Sequence, residues 1–244
     1  STRCTSRRQR QMCIRDRQVA KHKGLTMFFL DMKSPGVNIV PIKQATGNSE
    51  FNEVYFDDVR IPDSQRLGEV GEGWRVSITT LMNERMAIGG SIATGFPEIY
   101  ELVQNAQIHG QAALQDPAVK SKLAHWYVQA SGLRNNASRM ITALSKGDMP
   151  GPENSMGKLV AGNMMQDIAK FALDLQGLGG ALVDPEVAEG AARFQTMLLR
   201  SPAVRIEGGT DQILRNIIGE RVLGLPEDLR ADKGMPFNEI PTGT

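Results

Sequence analysis

Two glycine-rich segments and two glutamates hold most of the chemistry this sequence can offer. Leu175–Gly180 reads LQGLGG, and Gly208-Gly209 comes just before Thr210. Glycine lets a backbone close on a ligand such as a pyrophosphate. A glycine at the end of a helix is equally the usual C-cap. Both readings stand with equal weight at Gly179 and Gly180. Thr210 is placed where a helix begins, so it can act as a plain N-cap or sit where free N–H groups meet an anion. The two roles can coexist. Glu84 lies in Met82-Asn83-Glu84-Arg85, and Met82 and Met86 make it less simply a surface glutamate. Glu207 follows Arg205 closely, and an ion pair between them accounts for it as a loop carboxylate. His22, His109 and His125 are isolated, and isolated histidines are structural more often than catalytic.

Composition closes other routes. Both cysteines, Cys4 and Cys13, lie in the opening segment, so the body holds no disulfide framework and no Cys-based metal site. The 244 residues are 41% hydrophobic and 23% charged with a net charge of +1, enough for one substantial core. Nothing in that balance points to nucleic acid. The apolar stretches fall short of the roughly 20 residues a membrane span needs. Charge is unevenly placed. Residues 1–17, STRCTSRRQRQMCIRDR, carry six Arg and one Asp (+5), which leaves +1 − 5 = −4 for the remainder. Such a start partly fits a transit peptide or a polyanion-binding tail, and the reading taken is that it is foreign to the fold.

The elements that position these residues change character along the chain. Strands are expected at LTMFFLDM, at Val37–Ile42 after Ser34-Pro35-Gly36, and at Asn52–Ile61 before Pro62. Three strands alone leave a sheet face uncovered. After Trp74 the period becomes helical, with Ile78, Leu81, Met82, Met86 and Ile88 on one side. A second helix is expected from Phe96 to His109. A third opens at Asp116-Pro117 and carries Val119, Leu123, Trp126, Ala130, Leu133, Ala137, Ile141 and Leu144. The turn Gly147–Pro152 leads to a fourth helix through Met156, Met164, Ile168 and Leu175. A shorter helix is expected over Pro185–Leu199, stopped by Ser201-Pro202, and a last one from Thr210 to Gly224-Leu225-Pro226. Long apolar-striped helices on short loops argue an antiparallel bundle. The fold class is therefore mainly α, an antiparallel four-helix-type bundle preceded by a partial β-domain of a few strands.

FNEVYFDDVRIPDSQRLGEVGEGW (residues 51–74), LQGLGG and IEGGTDQILRNIIGERVLGLP (residues 206–226), in that order, resemble the acyl-CoA dehydrogenase family over residues 19–232. The resemblance implies a β-domain end at 19–75, a helical bundle at 76–226 and a tail at 227–244. It also implies that a first helical domain and half of the β-domain are absent. Residues 1–18 are on this view a non-native or disordered basic extension, and the chain by itself is expected to be inactive.

The family chemistry is FAD-dependent α,β-dehydrogenation of an acyl-CoA. A carboxylate takes the α-proton, and the β-hydrogen leaves as hydride to the flavin. Aligning Gly209-Thr210 with the family's Gly-Thr pair puts Gly208 where many relatives carry the base. A smaller group takes it from a Glu before an Arg on the first bundle helix. Glu84 is then the preferred base and Glu207 the alternative. Gln176, Gly179 and Gly180 match a segment touching the FAD of a neighbouring subunit, while Thr210, Asp211 and Gln212 match a stretch that also approaches FAD. No metal is implied. An electron-transfer flavoprotein or similar acceptor, a homo-oligomer (dimer or tetramer) or a heteromer, and a bacterial-type cytoplasmic location are implied. One departure is that NAQIHG (residues 105–110) lacks an Arg that most relatives carry there. Same-fold alternatives are a flavin monooxygenase, an acyl-CoA oxidase, or a non-catalytic subunit of a heteromeric enzyme.

Overall fold

The computed structural model describes residues 9–89, 94–148, 151–227, 229–230 and 232–241, with the side chains of 9–15, 82–89 and 189 outside that description. It divides into two units, residues 1–84 with 228–244 and residues 85–227.

Among its described residues the first unit holds five strands: β1 (Gln9–Arg15), β2 (Leu25–Asp31), β3 (Val37–Ile42), β4 (Phe51–Phe56) and β5 (Arg66–Leu67). β2 is the centre of an antiparallel sheet ordered β1-β2-β5, and β3 pairs with β4 as a separate ribbon. Thr26, Met27 and Leu30 of β2 are buried. The residues expected as an extension thus begin to pair at Gln9, which faces Asp31 across the ladder. The free edge of β2 accepts any extended backbone, and such pairing asks nothing particular of the side chains.

β4 ends earlier than the strand expected to reach Ile61. There the Asp57 N–H donates to the Gly36 carbonyl at 2.9 Å and Asp58 takes a φ of 47°, which turns the chain out of the ladder. The C-terminal segment returns to this unit. Phe237 N–H donates to Val19 O and Asn238 N–H to Arg17 O, both at 3.0 Å, and Lys21 pairs with Asp232. α1 (Gly73–Gly89) opens here, its first residue so close to β2 that a Cβ would stand 2.7 Å from the Leu25 carbonyl oxygen.

The second unit contains α2 (Phe96–Asn105), β6 (Gln107–Ile108), β7 (Gln111–Ala112), α3 (Pro117–Ser145), α4 (Asn154–Gln176), α5 (Arg193–Val204) and α6 (Asp211–Ile217). α3 starts as its sequence dictates. Asp116 accepts from the N–H groups of Ala118 and Val119, and Pro117 fills the first position, where no donor is needed. Val119, Leu123, Trp126 and Ala130 are its buried stripe. α4 is buried on two sides and packs against α2, α3, α5 and α6. Ile99 and Val103 of α2 and Phe194, Met197 and Val204 of α5 complete one core.

Three expectations are corrected. α2 stops at Asn105, and residues 107–112 form a small β6–β7 ribbon turning at His109 and Gly110, both with positive φ. α5 begins at Arg193, because Gly190, Ala191 and Ala192 all hold left-handed backbone that cannot extend a helix. It then runs through Pro202 to Val204. Pro202 has no N–H for the Leu198 carbonyl, and the Ser201 hydroxyl donates to that carbonyl instead at 2.9 Å. Finally, α6 gives way at Ile218 to a π-turn through Val222.

Candidate functional site

The turn between α5 and α6 carries the Glu207–Gln212 candidates. Gly208 and Gly209 have φ of 64° and 111°, which reverses the chain in territory open to glycine. Thr210 then caps α6, its Oγ1 accepting from the Ile213 N–H at 3.2 Å. Charged side chains fix the turn from three directions. Arg200 donates from Nη2 to both oxygens of Glu207 at 2.7 and 2.8 Å. Arg205 donates from Nε to Asp211 Oδ2 at 2.7 Å and from Nη1 to Gln166 Oε1 at 2.5 Å. Lys158 donates from Nζ to the Gly209 carbonyl at 2.6 Å.

The ion pair expected between Arg205 and Glu207 is therefore replaced by Arg200–Glu207. Arg205 leaves the end of α5 toward α4, where it donates at once to the buried Asp211 of α6 and to the half-buried Gln166 of α4. Arg205 passes over Gly162, where a Cβ would rest in ordinary van der Waals contact with its side chain at 3.4 Å. Asn163 adds a bond to Asp211 Oδ2 at 3.1 Å. The Asp211 side chain is 3% exposed, and its N–H donates to the Arg205 carbonyl at 3.2 Å. What Asp211 supplies is the shape of the turn. Gln212 is exposed and Thr210 half-buried at its rim.

Gln176–Gly180 lies at the far end of α4. Gly177, not Gly179 or Gly180, is the C-cap, at φ 57° and ψ −129°. Gly180 is buried for a separate reason, because a Cβ there would stand 2.4 Å from the Leu173 carbonyl oxygen. Gln195 of α5 reaches the Gly179 carbonyl with a long 3.5 Å bond. Gln176 Oε1 and Gln195 Oε1 are buried acceptors without a partner among the described residues. At Gly177 and Gly179 a Cβ would project into open space. Gln166, the last α4 residue bonded to the α5–α6 turn, precedes Gln176 by ten positions, a rise of about 15 Å along the helix. The two candidate patches are thus distinct places on one rod.

Glu84 lies on α1 as the last residue of the first unit. Its side chain, like those of Met82 and Met86, lies outside the described residues. In the segment lacking the family Arg, Asn105 bonds back to the Glu101 carbonyl and His109 occupies the β6–β7 turn. Lys158, Asn163, Gln166, Arg200 and Gln195 are site residues that sequence reasoning missed. One signal was available, in that Lys158 falls at helical spacing below Ala161 and Met165, a lysine in the register of an apolar stripe. A groove of about 400 Å³ between α3 and α4, lined by Leu133, Asn136, Arg139, Met156 and Val160, involves none of the candidates. Among the described residues, no helix is long and apolar enough to cross a membrane, and no cluster of His, Cys, Asp or Glu is placed to hold a metal.

Comparison with known proteins matches residues 71–223 to the family model "Acyl-CoA dehydrogenase, C-terminal domain". Acyl-CoA dehydrogenase IpdE1 of Mycolicibacterium smegmatis is 37% identical over 213 residues, covering 86% of this chain and 51% of that protein. Acyl-CoA dehydrogenase FadE34 of Mycobacterium tuberculosis is 35% identical over 211 residues, covering 86% of this chain and 28% of that protein. The chain therefore spans about half, or less, of the length of these relatives. Among solved structures, the ChsE4-ChsE5 complex from Mycobacterium tuberculosis superposes with a TM-score of 0.72 at 22% identity, over 89% of this chain and 57% of that one.

Proposed function

The chain belongs to the acyl-CoA dehydrogenase family, and from that membership we propose that it supplies the bundle side of an FAD-dependent acyl-CoA dehydrogenase site. The observation that carries the reading is the Gly208–Asp211 turn, which hydrogen bonds from Arg200, Arg205 and Lys158 hold with Thr210 and Gln212 at its rim. The residues present fit the cofactor. Buried acceptors without partners at Gln176 and Gln195 suit hydroxyl and amino donors, and open glycine backbone at Gly177 and Gly179 admits close approach. Gln176, Gly179 and Gly180 would hold one part of FAD, and Thr210, Asp211 and Gln212 another, with Asp211 acting through the shape of the turn. FAD, when bound, supplies the hydride acceptor.

Glu84 is the proposed base. Abstraction of an α-proton asks for a carboxylate with a free oxygen aimed at substrate, in dry surroundings that strengthen it as a base. Glu207 has both oxygens engaged by Arg200, which favours Glu84. The rise of about 15 Å between the two patches supports their serving separate parts of FAD, the Gln176–Gly180 end reaching the cofactor of a neighbouring subunit. That asks for a homo-oligomer or a heteromer, with an electron-transfer flavoprotein or similar acceptor taking the electrons. A second reading, a non-catalytic subunit within a heteromer, is favoured by the β6–β7 ribbon standing where the Arg is lacking.

The test uses FAD-loaded protein containing this chain, an acyl-CoA and an artificial electron acceptor. Glu84→Gln is expected to keep the flavin and to lower turnover at least about a hundredfold. Near-normal turnover in Glu84→Gln together with loss in Glu207→Gln reverses the assignment. Flavin absent from this chain but present in a partner establishes the second reading.

A further inference from the structure

Of the three histidines that stand isolated in the sequence, His22 has a partner that bears on α1. Its ring lies flat on the indole of Trp74, with centroids 4.3 Å apart and planes 11° from parallel. Stacked rings hold one another at a preferred separation and tilt. Trp74 is the second residue of α1, and an aromatic side chain on a helix is confined to two χ1 wells. A fixed indole plane is therefore passed on to the helix backbone. His22 in turn stands on a braced segment. Phe237 and Asn238 of the C-terminal segment donate from their N–H groups to the Val19 and Arg17 carbonyls, and Lys21 pairs with Asp232.

The first turn is where this unit grips α1. Just ahead of it the Gly71 N–H donates to Thr26 Oγ1 at 3.0 Å, Gly73 is buried against β2, and Val76 and Ser77 are half-buried. Ile78–Leu81 are exposed. Glu84 comes ten positions after Trp74, about 15 Å along the rod, so a tilt of about 5° at the first turn displaces it by about 1.3 Å. A displacement of about 1 Å at a reacting group can cost about a hundredfold in rate.

We propose that His22 is a positioning residue for α1: by stacking on Trp74 it sets the direction in which the helix leaves the sheet, and so where Glu84 stands. The inference rests on the reading of Glu84 as the base, and its test separates the two.

Both rings are exposed, so the stack can be altered without opening the core of the sheet. In FAD-loaded protein containing this chain, His22→Ala is expected to lower kcat at least about tenfold. Flavin content and KM are expected to hold, since a displaced base is felt in the transition state alone. His22→Phe restores a ring to the stack but no group that can transfer a proton, and it is expected to recover kcat to within about threefold. Crystal structures of the same proteins are expected to show α1 turned against β2 by about 5° or more in His22→Ala and unmoved in His22→Phe. An α1 that keeps its direction in His22→Ala overturns the proposal, as does a His22→Phe variant that loses as much turnover as His22→Ala. A helix that turns with kcat intact upholds His22 as the positioning residue and instead removes Glu84 as the base. If His22→Ala does not fold, His22→Phe decides. Native turnover with an unmoved helix upholds the proposal, and a loss of about tenfold or more overturns it.

Discussion

Replacing Asp211 by Asn removes one charge and almost no volume. In the native turn Asp211 Oδ2 accepts from Arg205 Nε at 2.7 Å and from Asn163 at 3.1 Å. Hydrogen bonds to a charged group contribute about 1.5–3 kcal/mol each. Both are weakened rather than deleted, because Asn keeps one carbonyl oxygen. Arg205 is 35% exposed against 3% for Asp211, so water recovers part of what the guanidinium loses. The net cost works out at about 2–3 kcal/mol, below the roughly 3–5 kcal/mol of breaking a fully buried pair. For a unit of this size that lowers the melting temperature by roughly 6–10 °C. Urea unfolding followed through Trp126, in a Trp74→Phe background, reads the second unit alone. Combining Asp211→Asn with Arg205→Met is expected to show a coupling of about 1 kcal/mol or more. A cost within about 0.5 kcal/mol of zero, or strict additivity, refutes the view that this pair shapes the turn.

Glycines on α4 and just after it give opposite outcomes in the same unfolding assay. Gly180→Ala forces a Cβ to 2.4 Å from the Leu173 carbonyl oxygen and is expected to cost about 1–3 kcal/mol. Gly162→Ala meets side-chain atoms at 3.4 Å and beyond, and better helix propensity makes it neutral to about 1 kcal/mol stabilising. Equal melting for the two variants contradicts both packing arguments. In the first unit, the hydrogen bond from Lys21 holds the Asp232 carboxyl below its ordinary 3.8. A depressed carboxylate contributes stability that is present above the unfolded value and lost as pH falls through the folded one. Phe237 and Asn238 amides are thus expected to exchange faster as pH drops below about 4, after correction for intrinsic rates, and Asp232→Asn is expected to abolish that dependence. A dependence that survives in Asp232→Asn places its origin elsewhere.

Legibility differed from element to element for identifiable reasons. α3 was readable because Asp116-Pro117 marks its start and its apolar residues repeat on one face. α5 was not, because the usual rule that Pro ends a helix assumes an unmet carbonyl, and Ser201 meets it. The β6–β7 ribbon was hidden in a segment polar enough to pass as helix end. Within the candidate site, Thr210 as N-cap was legible from local chemistry alone. The exchange of partners between Arg200, Arg205, Glu207 and Asp211 was not, since α4 decides it by offering Gln166. Of the two readings of Gly180, cap or close backbone approach, the cap passes to Gly177, and Gly180 is held to glycine by its clearance from the Leu173 carbonyl.

α4 also acts as a ruler with a fixed phase. Between Gln166 and Gln176 it is uninterrupted helix, so an inserted residue there would displace one patch from the other by about 1.5 Å and rotate it by about 100°. Inserting seven would bring the rotation back to within about 20° while lengthening the rod by about 10 Å. Sequence drift along this stretch can therefore exchange its exposed side chains and leave the spacing of the patches intact, but a change in its length is registered at both ends at once.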